Sequence, residues 1–191
     1  MAGAIDFLLQ QFLIPVLLEH GVEFLRAPGN AAIIASALLI YNQYLWKLPV
    51  FKLLVKIPDM SGRYTGKIKY EFNEILCEKD CAVEVSQTAS KIKIRSYFSN
   101  ADNEKTNSNS VIEEIHKTED GFFNVYFFYQ NAGSKINGDL DSHEGTNMIR
   151  FFPGTKKKKR KLAGHYFTNR QKQTRGEIEV YFSSNKLKGE F

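Results

Sequence analysis

The sequence predicts two membrane-spanning helices followed by an all-β domain of eight antiparallel strands that close into an up-and-down barrel. Three observations support this prediction. Residues 27–46 carry no formal charge, most charged side chains follow residue 57, and this later part shows eight segments in which apolar and polar residues alternate. A chain of 191 residues with 43% hydrophobic residues has enough apolar groups for a folded core, which excludes a wholly disordered protein.

A change in composition divides the chain near Pro58. Residues 1–57 carry only seven charged side chains, with a net charge of +1 out of a total of +5. Residues 58–191 hold all the other charged residues and most of the 15 Phe and 9 Tyr. We therefore expect two membrane helices and a linker at 1–57 and a separate β-barrel domain at 58–191.

The second predicted helix spans about residues 28–48. Its uncharged run matches the roughly 20 residues that are needed to cross the hydrocarbon layer, and Tyr44 and Trp46 supply interfacial side chains. Arg26 and Lys47 flank the run. The alternative is a buried helix of a soluble protein, but a chain of this size has little room to surround such a helix on every side.

The first predicted helix spans about residues 4–25 and is interrupted by polar side chains. At about 100° per residue, Asp6, Gln10 and His20 fall on one side of this helix. Polar groups at membrane depth usually face a protein interior, so this helix-assembly face predicts a homo-oligomer. A signal peptide is the competing interpretation, because 35–37 resembles a cleavage site, but no basic residue precedes Arg26.

Basic residues set the predicted orientation. Lys47, Lys52 and Lys56 cluster just after the second helix, and the positive-inside rule then places residue 58 onward in the cytoplasm. The two cysteines of the chain, Cys77 and Cys81, agree with a reducing compartment and exclude a disulfide framework.

After residue 58 the periodicity changes from helical to alternating. In the third segment Ile92 and Ile94 lie on one face, and Lys91, Lys93 and Arg95 lie on the other, which is typical of a half-buried strand. The predicted strands span residues 62–72, 80–88, 90–98, 110–117, 121–130, 144–152, 162–170 and 176–182. Such sequential strands favour a closed, lipocalin-like barrel that can enclose one small ligand, and a β-sandwich is the alternative.

The sequence offers no convincing catalytic or metal-binding motif. Residues 62–67 resemble a phosphate loop, but the spacing is one residue short and Ile68 stands where Ser or Thr would bind the metal. Cys77 and Cys81 lack a second pair of ligands, and no nucleophile elbow or paired-carboxylate motif occurs. We therefore expect no enzymatic activity, no catalytic residue, no metal and no cofactor.

Six consecutive basic residues lie between the sixth and seventh predicted strands: Lys156, Lys157, Lys158, Lys159, Arg160 and Lys161. A solvated loop is one interpretation. Topology supplies another, because a first strand that leaves the membrane near residue 60 puts the turns near 89, 119 and 155 on the membrane-proximal side. The basic segment would then contact anionic headgroups, at about 1 kcal/mol per charge.

Four ordered elements of the all-β part resemble a known family. They are Asp59-Met60-Ser61-Gly62-Arg63-Tyr64-Thr65-Gly66, Gln87-Thr88-Ala89-Ser90-Lys91-Ile92, Tyr129-Gln130-Asn131 with His143-Glu144-Gly145-Thr146, and Gly164-x-Tyr166-Phe167-Thr168-x-Arg170 with Gly176. With two preceding helices they resemble the SMODS-associating two-transmembrane, β-strand-rich (S-2TM-beta) family of bacterial CBASS antiphage systems, which are CD-NTase-associated membrane effectors. The resemblance covers nearly the whole chain, with Tyr64 where the family often has Trp.

The resemblance implies a ligand-gated function. The cytosolic barrel would sense a cyclic oligonucleotide made by a partner CD-NTase, which is an activating ligand and not a cofactor. Binding would drive homo-oligomerisation of the helices, disrupt the bacterial inner membrane and kill the infected cell in an abortive infection. The implied partners are this ligand, inner-membrane lipids and further copies of the chain, with no DNA or RNA polymer.

Alternation and these motifs place the candidate ligand-binding residues in the lumen of the predicted barrel. The set is Gln87, Tyr129, Asn131, Thr146, Tyr166, Thr168 and Arg170. A cyclic dinucleotide has base faces that stack on aromatic rings and two phosphates that need neutralising, and Arg170 has the fork geometry that binds a phosphate. The alternative is that these side chains merely fill the barrel, as in other small barrels.

A second functional interpretation stays open. A membrane-tethered barrel could bind or present a lipid or another apolar ligand and have no killing activity. A wholly apolar lumen would favour this interpretation, whereas inward-facing Gln87, Asn131 and Arg170 favour the effector.

Overall fold

A computed structural model of the chain describes residues 7, 11, 30–51, 54–72, 75–99, 105–133, 142–170 and 173–191. The chain divides into two compact units, Met1–Lys56 and Ile57–Phe191. The sequence places this division near Pro58, at the end of the poorly charged segment.

The described part of the first unit contains one α-helix, α1, at Asn30–Gln43, and a 3₁₀ turn at Leu45–Lys47. The 14 residues of α1 make it about 21 Å long at about 1.5 Å per residue, which is shorter than the helix predicted at 28–48. Tyr44, after the last residue of the α-helix, leaves helical geometry. The 3₁₀ turn ends before Leu48, which is extended and precedes Pro49, because the residue before a proline disfavours the helical conformation.

The structure therefore does not show the predicted membrane hairpin. Among the residues that are described, no helix combines the length and the apolar character that crossing a membrane requires. Nearly all of the predicted first helix, including Asp6, Gln10 and His20, lies outside the described ranges.

The second unit is a closed barrel of eight antiparallel strands in sequential order, so the predicted barrel is confirmed. The strands are β1 Gly62–Phe72, β2 Ile75–Gln87, β3 Ile92–Ser99, β4 Lys105–Lys117, β5 Phe123–Asn131, β6 His143–Phe152, β7 Lys161–Asn169 and β8 Arg175–Ser184. Pairing of β1 with β8 closes the ring, which excludes the β-sandwich.

The two ends of the barrel differ in what fills the lumen. We call the end at which β1 begins the proximal end, and the end at which β1, β3, β5 and β7 finish the distal end. The proximal lumen is apolar, with Met60, Tyr64, Val85, Leu162 and Val180 all buried in one hydrophobic cluster. Along each strand, side chains that point into the lumen alternate with side chains that point outward, as a barrel that packs its core inside requires.

Tyr64 and Arg160 seal the proximal end. The Tyr64 hydroxyl donates to the Met60 carbonyl at 2.8 Å, and its ring packs edge-to-face on Phe182 with centroids 5.6 Å apart. The Arg160 guanidinium lies 3.9 Å from the centroid of the Phe182 ring and donates to the Asp59 carbonyl. Burial raises the pKa of Tyr64 to about 12, so its hydroxyl is neutral at physiological pH.

A charged pair fastens the C-terminal residues to the outer wall near the proximal end. Arg63 and Glu84 are only 4% and 3% exposed, although both side chains point away from the lumen. Arg63 Nη1 donates to Glu84 Oε1 and to the Glu190 carbonyl, both at 2.6 Å. The Glu84 carboxylate also accepts the backbone N–H groups of Lys188 and Gly189. Residues 188–190 thus cover a patch that a barrel would otherwise expose to water.

The junction between β3 and β4 is short. Within the described residues, these strands are paired only from Arg95–Asn109 to Ser99–Lys105, whereas the β1–β2 register runs along the whole of β1. Beyond the paired region the Lys93 ammonium, on the outer face, reaches the Glu113 carboxylate at 2.8 Å. A side chain therefore crosses the gap where backbone hydrogen bonds end.

Candidate functional site

Polar side chains form one continuous row on the inner face of β3 to β6. The strand registers place Ser96 opposite Ser108, Ser108 opposite Asn131, and Asn131 opposite His143. Directly opposite residues in antiparallel strands share a face, and the first three are buried. The Asn131 amide donates to the Ser108 hydroxyl at 2.8 Å and its carbonyl oxygen accepts the Gly133 N–H at 2.8 Å. This part of the row is already satisfied within the fold.

Arg170 follows the last residue of β7 and continues the row next to His143. Its Nη2 lies 3.0 Å from His143 Nδ1, and because a guanidinium only donates, the ring nitrogen is the acceptor. The Nε–H of Arg170 is buried and has no hydrogen-bond partner among the described residues. A buried donor without an acceptor is costly and uncommon, so this atom is a position at which the described part of the fold could receive a further acceptor.

Two tyrosines lie in the lumen on the proximal side of Arg170. Tyr129 and Tyr166 are both buried, and the Tyr129 hydroxyl donates to the Phe167 carbonyl at 3.4 Å. Burial raises the pKa of Tyr129 to about 12, and burial together with the neighbouring Tyr129 and Tyr70 raises the pKa of Tyr166, while Arg170 opposes this. Both phenols are therefore neutral at physiological pH.

Glycines make room for these rings. A Cβ at Gly145 would lie 2.4 Å from the Tyr129 hydroxyl oxygen, and a Cβ at Gly176 would lie 2.5 Å from the Tyr166 ring. Each would also meet a backbone carbonyl at 2.2 Å. The positions of both tyrosines thus depend on the absence of a side chain opposite them.

Thr168 is buried, and its hydroxyl is used inside the fold. It lies 2.8 Å from the Thr174 hydroxyl and accepts the Thr174 N–H at 2.9 Å. The backbone N–H of Thr168 donates to the Thr174 carbonyl. This threonine pair ties the end of β7 to the start of β8 and so holds the chain on either side of Arg170.

Two predicted site residues are placed differently by the structure. Thr146 is exposed on the outer face, because Gly145 takes the buried position of β6 and the next side chain must point the other way; its assignment to the lumen was wrong. Gln87 ends β2 at the proximal end, where its amide donates to the Pro58 carbonyl at 3.1 Å and its oxygen accepts the Met60 N–H at 2.8 Å. It lies at the end of the barrel opposite to Arg170.

One cation of the distal mouth was missed by the sequence analysis. Lys79 pairs with Ile68, which is buried in the lumen, so Lys79 shares the inner face of β2. Its ammonium lies 5.2 Å from the centroid of the Tyr70 ring. The predicted strand began at residue 80, whereas β2 begins at Ile75; counting back in steps of two from Val83 would have found this residue.

A cleft of about 530 Å³ opens beside the polar row on the side of β4, β5 and β6. It is lined by Asn109, Val111, Gln130, Asn131, Ala132, Ser142, His143 and Glu144. Asn131 and His143 belong to both the row and the cleft, so the cleft adjoins the polar row.

The basic segment between β6 and β7 is only partly available to a partner. Lys156, Lys157, Lys158 and Lys159 are exposed. Arg160 is engaged with Phe182, and Lys161 belongs to β7, where its ammonium lies 3.7 Å from Glu179 and 4.9 Å from the centroid of the Phe152 ring. The membrane-contact prediction therefore depends on the four lysines.

The two thiols lie on the lumen side of β2 and are not oxidised to each other. Burial raises the pKa of Cys81 to about 12, which keeps it protonated and unreactive. Within the described ranges, no three His, Cys, Asp or Glu side chains are grouped closely enough to hold a metal ion.

Comparison with known proteins gives one family. A family model described as "Cap15, cyclic dinucleotide receptor domain" matches residues 55–181, which include β1 to β7 and most of β8. No curated protein matches the chain significantly. The matched range includes the polar row, both tyrosines, Lys79 and Arg170.

Proposed function

Because this chain belongs to the family of Cap15 cyclic dinucleotide receptor domains, we propose that it is a CBASS effector whose barrel binds a cyclic dinucleotide at the distal mouth. The family match supports the ligand class, and at the mouth a buried donor that lacks an acceptor among the described residues lies close to two aromatic rings. The proximal lumen is filled with apolar side chains and offers a charged ligand nothing.

The observation that carries this proposal is the orphaned donor of Arg170. Its guanidinium is held by His143, yet the buried Nε–H lacks an acceptor in the described structure. A phosphate oxygen would supply that acceptor and a counter-charge at once, and charge-assisted bonds of this kind are among the strongest in proteins. Tyr129 and Tyr166 lie close enough to Arg170 for its charge to influence both hydroxyls, so a base next to the phosphate could stack on them.

The apolar-ligand alternative receives less support. A lipid would need an apolar cavity, but Tyr64, Val83, Ile149 and Val180 are fully buried against one another in the proximal lumen. Toward the distal end the inner face instead carries serine, asparagine, histidine and arginine side chains. This distribution favours an anionic, aromatic ligand over a lipid.

The remaining steps of the function are part of the proposal. A partner CD-NTase makes the cyclic dinucleotide during infection, and ligand in the barrel promotes homo-oligomerisation of the N-terminal helices. Disruption of the bacterial inner membrane then kills the cell, without enzymatic activity or a cofactor. Leu38, Leu39 and Ile40 of α1 are large, apolar and exposed, which supports contact of this segment with lipid or with other copies.

The proposed membrane arrangement places the barrel in the cytoplasm, with its proximal end toward the bilayer. Four exposed lysines at 156–159 lie at this end, between β6 and β7. Contact with anionic lipid would add about 1 kcal/mol per charge near the surface. The distal mouth would then face away from the membrane, where a soluble ligand can reach it.

The test is binding of cyclic dinucleotides to the full chain in detergent, with Arg170→Met beside wild type. Arg175→Met is the matched control, because Arg175 lies at the same end but on the exposed outer face. Loss of a charged hydrogen bond should lower affinity about 10- to 100-fold in the first variant, and the control should stay within about twofold. Equal affinity of Arg170→Met and wild type would show that the ligand binds elsewhere.

A further inference from the structure

We infer that Lys79 is a second anion-binding residue of the distal mouth, and that the site therefore selects ligands with two phosphates over ligands with one. The inference rests on the proposed function, since it concerns the same ligand. It adds a residue outside the sequence-predicted set and a basis for specificity.

The register fixes the direction of the Lys79 side chain. Lys79 lies opposite Ile68, and the next inward pair along the same strands is Gly66 with Cys81. Ile68 and Cys81 are both buried in the hydrophobic cluster, so Lys79 must share their inner face. It is half-buried, with its ammonium over the Tyr70 ring, and a cation held this way is oriented for a ligand.

Lys79 differs from the outer lysines in its electrostatic environment. Lys67 and Lys93 are engaged by Glu78 and Glu113, and Lys161 lies near Glu179. For Lys79, as for Arg170, the described part of the chain provides no carboxylate within ion-pair distance. The reason is local: its neighbours on β2, Glu78 and Asp80, alternate to the outer face.

The carboxylate of Glu113 also lies on the inner side of the barrel, but other residues neutralise it. Glu113 on β4 is bound by the Lys93 ammonium and the Ser110 hydroxyl at the β3–β4 junction. Among described residues the distal mouth therefore carries two cations, Lys79 and Arg170, without a compensating carboxylate. Uncompensated charge in a concave site concentrates field and attracts anions.

The two cations approach the lumen from different walls. Lys79 lies on β2 and Arg170 follows β7, with β8 and β1 between these strands. Across this interval the register aligns Tyr166, Gly176 and Tyr70 in one inward-facing row. Aromatic faces thus separate the two positive charges.

This arrangement matches a ring-shaped ligand with two phosphates and two bases. One phosphate would bind the Arg170 fork, the other the Lys79 ammonium, and the bases would stack on the tyrosines between them. A cyclic mononucleotide has one phosphate, so it can use only one of the cations. Lys79 then contributes to the difference in affinity between the two ligand classes, which is what specificity means.

The experiment compares Lys79→Met with Lys67→Met in the full chain. Lys67 is an exposed lysine on the outer face of the adjacent strand, so it controls for loss of one positive charge. The probes are cyclic di-AMP, cyclic di-GMP and cyclic di-UMP, each measured against the cyclic mononucleotide with the same base. Near-UV circular dichroism confirms that each variant keeps the packed aromatic core.

For the cyclic dinucleotide that wild type binds most tightly, Lys79→Met should lower affinity about 10- to 100-fold. The affinity for the matching mononucleotide should change much less, so the ratio between them should fall. Lys79→Arg should restore most of the binding, and Lys67→Met should leave both values within about twofold. If Lys79→Met binds the cyclic dinucleotide as tightly as wild type, or if the ratio between the two affinities does not change, the inference is wrong and the proposed function is unaffected. Failure of the wild-type chain to bind any probe overturns the proposed function together with it.

Discussion

The proximal and distal halves of the lumen are built by the same strands but satisfy their side chains in opposite ways. Proximal residues such as Tyr64 and Val180 are fully buried, and the one hydroxyl among them is bonded to backbone. In the distal half the buried Nε–H of Arg170 has no acceptor among the described residues, and Lys79 faces inward over an aromatic ring. The difference separates stability from recognition along one axis: one end is a packed core, and the other retains polar groups for a ligand.

The largest effect should come from the packed end. Tyr64→Ala removes a fully buried ring, its contact with Phe182 and its hydrogen bond to Met60. We expect a loss of about 3–5 kcal/mol in the free energy of unfolding, measured by chemical denaturation of the full chain. Affinity for a cyclic dinucleotide, measured under conditions where the variant is folded, should stay within about threefold. A large loss of affinity in the folded variant would show that the two halves are not independent.

The charged pair on the outer wall gives the next largest effect and a pH signature. Burial alone would raise the pKa of Glu84, but the hydrogen bonds from Lys188, Arg63 and Gly189 together hold it below the ordinary value of 4.5. A carboxyl with a lowered folded-state pKa stabilises the fold fully above its unfolded-state pKa, and this stabilisation is lost as pH falls through the folded-state value. Wild type should therefore lose stability below about pH 4.5.

Glu84→Gln tests this assignment. The variant loses the charge that holds Arg63 and the C-terminal residues, so we expect about 2–3 kcal/mol less stability at pH 7. Its thermal unfolding midpoint should also depend less on pH between 5 and 3 than that of wild type. Identical pH profiles for the two proteins would mean that other carboxyls determine the acid sensitivity.

At the distal end, Asn131→Ala should affect stability less than either change at the proximal end. It leaves the Gly133 N–H and the Ser108 hydroxyl without their partner, which costs about 1–2 kcal/mol. Because Asn131 is already satisfied inside the fold, ligand affinity should fall less than in Arg170→Met when both are measured by calorimetry. A loss of affinity as great as that of Arg170→Met would make Asn131 a direct ligand contact.

The smallest effect is expected at Thr146. Its side chain lies on the exposed outer face of β6, so Thr146→Val should change the free energy of unfolding by no more than about 0.5 kcal/mol. Ligand affinity should be unchanged in the same titration. A measurable loss of affinity would return this position to the binding site and place the ligand on the outside of the barrel.

The sequence predicted the strands well where one face is apolar. Ile92 and Ile94 against Lys93, and Ile178 and Val180 against Glu179, are buried and exposed as their alternation requires. The start of β2 was missed because its first six residues do not alternate: Ile75, Leu76 and Cys77 are followed by three charged residues, Glu78, Lys79 and Asp80. Neither face of this segment is uniformly apolar, and alternation is the signal that predicts a strand.

The candidate site was predicted in part. Tyr129, Tyr166 and Arg170 lie together as alternation suggested, although their role in binding stays a prediction. Thr146 was misplaced because the motif that carried the resemblance does not say which of its residues points inward. The buried pair of Arg63 and Glu84 gave no signal, because nothing in the local pattern shows that the C-terminal residues cover the outer wall.

The short β3–β4 junction has a consequence for local opening of the barrel. A closed ring of strands has no terminal strand from which to fray, so partial opening must begin at one of its junctions. Of the eight registers described, this one joins the fewest residues, from Arg95 to Ser99 on β3. Beyond it, the Lys93–Glu113 ion pair takes the place of backbone hydrogen bonds. Among the strands, amide hydrogen exchange in the native state should therefore be fastest along the β3–β4 junction. The rate at which the Lys93–Glu113 ion pair breaks would then set how quickly water reaches the interior of the barrel.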